Sequence, residues 1–458
     1  MLVNAEKYDV VVIGGGVAGL FFSRLIAEKG FTIALVEMKS LNEIGKKVCG
    51  DAIDKKYFAN LNLKEPTGNE VENTVKEVRV YSPSERSYLT VKGVGYQLNR
   101  KAFGQRLLRE AMESGVIVFD KSYLKKVILK KGLVNEVVIY DGNRKNDIAL
   151  KGRVFVDASG IAGALRTKLP TDWWISEKLN YRETAIAYRE IRFLSNDIED
   201  PDVLRIYLSQ EKAPGGYWWF FPKGLRKVNV GLGIQGGTGL NPRSIFYKYI
   251  ASRGFFKGSE IVDSGGGVVP TRRPLRTLVF SNVVAIGDAA FTANPIHGGG
   301  IGPSLTSAWA ASKAVLNALE VGEISTEKLW LTNRLYIRAY GAKQGSLDFL
   351  RIFLQNLSDE DLNYIIEKKV ISEDEFLELS ITGDLRMSIV EKMLKALKFI
   401  RRTSLLLKLR VLADYMRKAK QHYLAYPENP SDLLRWEHKL LKLYREFMEK
   451  LGIRAGVY

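Results

Sequence analysis

The chain has 458 residues, with 69 Lys and Arg against 51 Asp and Glu, a formal charge of +18, and 46% apolar residues. An apolar share of that size excludes a disordered or low-complexity protein, and the length predicts two or three packed regions. Three His and a single Cys exclude a multi-ligand Cys/His metal centre and a cysteine-ligated iron–sulfur cluster, so no metal is expected. One Cys cannot close an intrachain disulfide, which points to a reducing, cytoplasmic setting. The apolar run Val10 to Ile13 leads into glycines rather than into a signal-peptide core. No apolar stretch reaches the roughly 18 residues that span a bilayer. The charge suits nucleic acid, anionic lipid or a phosphorylated substrate. With no motif that reads RNA or DNA, nucleic acid is not expected as a partner.

In chain order, Tyr8 to Ile13 reads as a short buried strand. Ala18 to Glu28 carries Leu20, Phe21, Leu25 and Ile26 at helical spacing, Gly30 ends that helix, and Thr32 to Glu37 is a second strand. Arg100 to Ser114 is a further helix, with Phe103, Leu107, Leu108 and Ala111 on one face. Between Val116 and Val156, Lys131-Gly132 and Asp141-Gly142-Asn143 break short strands at Lys125 to Leu129 and Glu136 to Tyr140. This antiparallel excursion returns at Val154 to Asp157. Strands with clustered aromatics run from Trp173 to Gly239. Val283 to Ile286 is one more buried strand, before a glycine-rich loop and a helix from about Ile301 to Leu319. Beyond about residue 321 the chain is helical and basic.

Gly14-Gly15-Gly16-Val17-Ala18-Gly19 fits G-x-G-x-x-G between a strand and a helix. Gly14 permits the tight turn, Gly16 lets a pyrophosphate approach the backbone, and Gly19 lets helix and strand pack closely. The helix N-terminus offers N–H groups and a positive dipole end to phosphates. Glu37 ends the second strand, 23 positions after Gly14, where a carboxylate can accept ribose hydroxyls. Two later segments extend the pattern. Val156-Asp157-Ala158-Ser159-Gly160 is a second strand-to-glycine turn, and Ala285-Ile286-Gly287-Asp288 precedes Gly298-Gly299-Gly300. Neither Gly93-Val94-Gly95 nor Gly265-Gly266-Gly267 has the strand–helix context of another nucleotide site.

In combination these segments resemble the FAD-binding domain of the para-hydroxybenzoate hydroxylase-like flavoproteins, over residues 1–320. Lys47-Val48-Cys49-Gly50-Asp51-Ala52, the Y-x-W-x-F-P run Tyr217 to Pro222, and Asn294-Pro295-Ile296-His297-Gly298-Gly299-Gly300-Ile301 are similar to the geranylgeranyl reductase family. The resemblance implies an α/β fold: a Rossmann-like FAD-binding domain, an antiparallel-sheet substrate domain and a C-terminal helical region. Residues 1–75, 97–170 and 275–320 would form the first, 76–96 and 171–274 the second, and 321–458 the third. It further implies that Ala18, Glu37, Cys49, Gly50, Ala52, Arg100, Leu124, Asp288, Gly300 and Ile301 contact FAD. Tyr217, Trp219, Phe221 and His297 would line the substrate, and Cys49, Tyr217 and Trp219 would serve the reaction.

The implied activity is FAD-dependent hydrogenation of geranylgeranyl chains on a glycerophospholipid, or on a free prenyl diphosphate, in archaeal membrane lipid synthesis. Electrons would come from outside the chain, from a ferredoxin-like carrier or a transiently bound NAD(P)H. The alternatives are an aromatic monooxygenase of the same fold and a non-catalytic prenyl-lipid carrier. Related halogenases carry W-x-W-x-I-P, and Tyr217 and Phe221 depart from it. Three plainer readings stand beside these: core aromatics on a strand, a small buried thiol at Cys49, and a structural imidazole at His297.

Between Arg386 and Leu424, eleven basic residues face Glu391 and Asp414, a local charge of +9. Ile389, Met393, Leu397 and Ile400 recur at helical spacing. Such a helix either lies on the inner face of an anionic membrane or packs on the body with its basic face in water.

Overall fold

The computed structural model describes residues 5–386 and 402–453. Val10, Val11, Val12 and Ile13 are at most 4% exposed. Branched residues covered on both faces are what an interior parallel strand requires. Their strand, β1 (Glu6–Ile13), lies between β2 (Ile33–Val36) and β9 (Asn146–Asp157), parallel to both. Beyond them, β6 (Ile117–Phe119) and β16 (Val283–Ala285) extend the parallel layer to the order β16-β9-β1-β2-β6. The short β15 (Val279–Phe280) pairs antiparallel at one edge. The excursion forms as expected: β7 (Tyr123–Lys130) and β8 (Leu133–Asp141) run antiparallel beside the first half of β9. Lys131 and Gly132 turn it with φ of 53° and 74°, the two positive angles of a tight hairpin.

The second sheet has the order β14-β10-β13-β12-β11-β4-β5-β3. Its strands are β3 (Ala52–Asp54), β4 (Val71–Tyr81), β5 (Tyr88–Leu98), β10 (Thr184–Phe193), β11 (Val203–Leu208), β12 (Tyr217–Pro222), β13 (Lys227–Gln235) and β14 (Glu260–Pro270). All neighbours are antiparallel except β11 and β4.

Around the parallel layer, α1 (Val17–Ala27) packs against α3 (Arg100–Glu113) and α5 (Ile301–Val321). Two short helices, α2 (Lys56–Asn60) and α4 (Pro242–Phe246), lie in connections. The remainder is helical: α6 (Thr326–Leu329), α7 (Leu331–Tyr336), α8 (Ala342–Gln355), α9 (Asp359–Glu367), α10 (Glu373–Thr382), α11 (Thr403–Leu424) and α12 (Leu433–Leu451). Ser358 with Asp361 and Ser372 with Glu375 close capping boxes that start α9 and α10. One core joins the parallel layer to these helices.

The helix α11 buries Leu405, Leu406, Leu409, Leu412, Tyr415, Met416, Ala419 and Tyr423, so its apolar stripe is spent on the body of the protein. Its basic face is braced locally, Arg417 and Lys418 on Asp414 and Lys420 on Asp384. The expected apolar repeat Ile389, Met393, Leu397 and Ile400, with Lys392, Lys395, Lys398 and Arg401, lies outside the described residues. Among the described residues no helix is long and apolar enough to cross a membrane.

Candidate functional site

The three fingerprint glycines do three different things. Gly14 sits at φ 111°, and a Cβ there would stand 2.4 Å from the Ala158 carbonyl oxygen. The turn after β1 is therefore wedged against the turn after β9. A Cβ on Gly19 would stand 2.0 Å from the Gly14 carbonyl oxygen, whereas one on Gly16 meets nothing within 4 Å. Gly16 is also the N-cap of α1, and no side chain caps that helix. An open cradle at an uncapped helix start is a place for a phosphate. Glu37 follows β2, and its Oε2 accepts the Gly15 N–H at 2.7 Å. Ser122 N–H donates to the Glu37 carbonyl at 2.8 Å, which fixes the start of β7 and buried Leu124 beside that corner.

The third segment closes on the same place. A Cβ on Gly287 would lie 3.3 Å from Ala18 Cβ, and one on Gly300 would lie 3.2 Å from Asp288 Oδ1. Ile301 opens α5 and is 5% exposed. Asp288 Oδ1 is buried with no partner, while Oδ2 is 3.4 Å from Lys47 Nζ. Arg100 begins α3, and its Nε is also buried with no partner. Burial, opposed by Glu37 and reinforced by Lys47 and Arg100, holds the Lys39 ammonium below its ordinary range. Unpaired buried polar atoms call for a partner. A carboxylate oxygen and a guanidinium N–H in that state, with a basic rim of Lys39 and Lys47 and the open Gly16, fit a ligand of phosphates and sugar hydroxyls.

Strand alternation sorts the aromatics of β12 by face. Trp218 and Phe220 join Tyr188, Val230, Phe246 and Phe256 in one cluster. Trp219 and Phe221, with Tyr217 at their edge, join Val75, Leu204 and Ala52 on the other side. Their ring centroids are spaced 6.0 and 6.1 Å apart. This second face carries the Cys49 loop, since a Cβ on Gly50 would be 3.2 Å from Phe221 Cε2. Tyr217 hydroxyl donates to the His297 carbonyl at 2.7 Å, so the loops around Cys49 and His297 meet on one aromatic wall. Burial, then the nearby Cys49, pushes the Tyr217 phenol far up, so it keeps its proton. Gly265 has a packing reason as well: a Cβ there would be 2.6 Å from Val48 Cγ2, and β14 comes in close over the Cys49 loop.

Two residues absent from the sequence reading sit behind this wall. Asn229, 0% exposed, accepts from Trp219 Nε1 at 3.0 Å and donates to the Cys49 carbonyl at 2.7 Å and to Asp51 Oδ2 at 3.0 Å. Lys223 Nζ lies 2.8 Å from Asp51 Oδ2 and 3.2 Å from Glu72 Oε2, and donates to the Leu98 carbonyl at 3.0 Å.

His297 Nδ1 accepts the Gly299 N–H at 3.1 Å, which places the proton of a neutral ring on Nε2. The imidazole keeps an accessible face, but the mass of protein packed around it, then repulsion from Lys343, pulls it down to about 4. It is therefore neutral across the physiological range. Because the unfolded imidazole takes up its proton first, stability falls as pH drops from about 6.5 toward 4. His297→Gln is expected to flatten that acid limb and to leave stability above pH 7 nearly unchanged, as read from unfolding midpoints against pH.

The model of the geranylgeranyl reductase catalytic domain matches residues 183–269, and that of lycopene cyclase protein matches 9–172. A geranylgeranyl bacteriochlorophyll reductase-like protein of Thermoplasma acidophilum superposes with a TM-score of 0.75 at 25% identity, covering 89% of this chain and 100% of that one. A flavin-dependent brominase superposes with a TM-score of 0.66 at 18% identity, covering 86% and 98%. The chain has the para-hydroxybenzoate hydroxylase-like flavoprotein fold. The digeranylgeranylglycerophospholipid reductase of Sulfolobus acidocaldarius is 42% identical over 448 residues, 97% of this chain and 99% of the relative. That of Methanosarcina acetivorans is 30% identical, covering 79% and 88%. The chain belongs to the digeranylgeranylglycerophospholipid reductase family, enzymes that are oxidoreductases of carbon–carbon double bonds.

Proposed function

We propose that this chain binds FAD and saturates the isoprenoid double bonds of digeranylgeranylglycerophospholipids, and also accepts geranylgeranyl diphosphate. The observation that carries the reading is the packing of the Tyr217–Trp219–Phe221 face directly on the Cys49 loop. Gly16 and the start of α1 take the pyrophosphate, Glu37 the ribose, and Asp288 a ribityl hydroxyl. Ala18, Leu124, Gly300 and Ile301 shape the cavity, and Arg100 and Ala52 flank the ring. Residues 1–75, 97–170 and 275–320 hold FAD, 76–96 and 171–274 cover the substrate, and 321–458 close the far side.

Bound and reduced, FAD supplies hydride. An isolated trisubstituted alkene accepts hydride poorly unless a proton arrives at its other carbon. Positive charge then grows at the tertiary carbon. The faces of Tyr217 and Trp219 stabilise such charge by about 0.5–2 kcal/mol each, and with Phe221 they give a polyprenyl chain an apolar wall. Tyr217 is anchored through His297 and keeps its proton. Cys49 acts beside the ring, positioning it or relaying the proton. Electrons come from an external carrier, ferredoxin-like or nicotinamide. The protein works in the cytoplasm, and with the apolar stripe of α11 packed on the body its exposed lysines and arginines meet the inner membrane face by charge alone.

Anaerobic turnover with dithionite and a geranylgeranyl lipid tests this. The product should gain two hydrogens per reduced double bond and no oxygen. Cys49→Ala, with FAD fully bound, is expected to slow turnover or change the saturation pattern. Unchanged rate and products would remove Cys49 from the mechanism.

A further inference from the structure

We infer that Asn229 is a positioning residue that sets the distance between the flavin-side loop and the aromatic wall. The inference rests on the reading of the site given above.

Asn229 lies in the middle of the second sheet, paired across strands with Phe221 on β12 and with Ile191 on β10. A polar side chain at 0% exposure in a sheet otherwise packed with Val228, Val230 and Leu232 has to satisfy its amide internally. It does so with three groups that leave no choice of orientation. The Trp219 indole N–H can only donate, so Oδ1 faces it. The Cys49 carbonyl can only accept, so Nδ2 faces it, and the second Nδ2 hydrogen goes to Asp51 Oδ2.

The two sides of this amide belong to different parts of the reaction. Trp219 is on the face proposed for the alkene. Cys49 and Asp51 belong to the loop proposed to lie beside the flavin. That loop is held in a conformation that needs holding. Asp51 has φ 63°, a left-handed angle unusual for a residue with a side chain. Its N–H points at Cys49 Sγ at 3.3 Å, and its carbonyl accepts from Leu98 N–H at 2.9 Å. Lys223 holds the same Asp51 oxygen, Oδ2, that Asn229 does. Asn229 thus ties one side chain of the substrate wall to one backbone carbonyl of the cofactor loop. A shift of an ångström between reacting groups costs up to about 100-fold in rate.

Two variants test it. Asn229→Leu removes both links. Asn229→Asp keeps an acceptor for Trp219 but loses the donor to Cys49, and puts a second carboxylate beside Asp51. The Lys223 ammonium, 2.8 Å from Asp51 Oδ2, faces the new carboxylate, and the link to the Cys49 carbonyl is the one that is lost. The measurements are FAD uptake by fluorescence, the visible flavin spectrum, and kcat and KM for geranylgeranyl diphosphate with dithionite.

The expected result for Asn229→Asp is FAD still bound, shifted flavin bands, kcat lower by about 10-fold or more, and KM changed by less than about threefold. Asn229→Leu, where it folds, should show at least the same loss of kcat. A kcat for Asn229→Asp within about twofold of the unsubstituted chain, or flavin bands that do not move, overturns the inference. An unsubstituted chain that takes up no FAD, or reduces no alkene, overturns instead the reading beneath it.

Discussion

Gly19→Ala is expected to destabilise the chain in the absence of any ligand, by about 3 kcal/mol. Its new Cβ would stand 2.0 Å from the Gly14 carbonyl oxygen and 3.2 Å from Ala158 Cβ. The first of these is backbone held in place on both sides: Gly14 N–H donates to Val36, and Ala158 N–H donates to Ile13. No side chain can swing away to relieve the overlap, so α1 must lift from the sheet. Gly16→Ala makes the opposite prediction. Its Cβ meets nothing within 4 Å, and exchanging Gly for Ala at an N-cap costs roughly 0.5–1 kcal/mol. The ligand-free unfolding midpoint of Gly16→Ala should therefore fall only slightly, far less than that of Gly19→Ala, while its FAD affinity should fall by at least tenfold. Denaturant midpoints without FAD, together with FAD titrations, separate the two. A Gly16→Ala chain that binds FAD normally would mean that the cradle is not where the pyrophosphate sits.

Lys223→Met carries the second large effect. The Lys223 and Asp51 side chains are 4% and 6% exposed, and removing one partner of a buried ion pair costs about 3–5 kcal/mol. Glu72 keeps a cation after the substitution, because Lys227 also reaches it at 3.2 Å. Asp51 keeps only the Asn229 N–H on the same oxygen, and its Oδ1 is already buried without a partner. The uncompensated charge therefore falls on the residue that holds the left-handed turn after Cys49. Adding Asp51→Asn to Lys223→Met should recover most of the lost stability, because the stranded charge is gone. Equal losses in the single and double variants would show that the lysine stem, not the charge, is what matters.

Much of the parallel layer was legible in the sequence because its signals are local. Val10 to Ile13, the glycines that follow, and Glu37 lie within a single strand–turn–helix–strand unit, where spacing alone dictates geometry. The alternation of Tyr217, Trp219 and Phe221 against Trp218 and Phe220 was equally readable, since a strand has a period of two. Asn229 and Lys223 were not. They meet Cys49 and Asp51 across 180 and 172 positions of chain, and nothing beside them in sequence marks an amide or an amine as buried. Gly265 looked idle for the same reason: its neighbour is Val48, brought over it by the second sheet. The apolar stripe of α11 shows a different limit. A bilayer and a protein core ask for the same periodicity, and only the packing of Leu405, Leu409 and Met416 into the body decides between them.

In the proposed reaction it is alkene reduction, not oxygen insertion, that discharges the reduced cofactor. Photoreducing the FAD-loaded chain in the absence of air and mixing it with a geranylgeranyl lipid measures this in one turnover. The flavin should return to its oxidised spectrum without oxygen, with one double bond lost per flavin. A flavin that stays reduced until air is admitted, with every double bond intact, would contradict it.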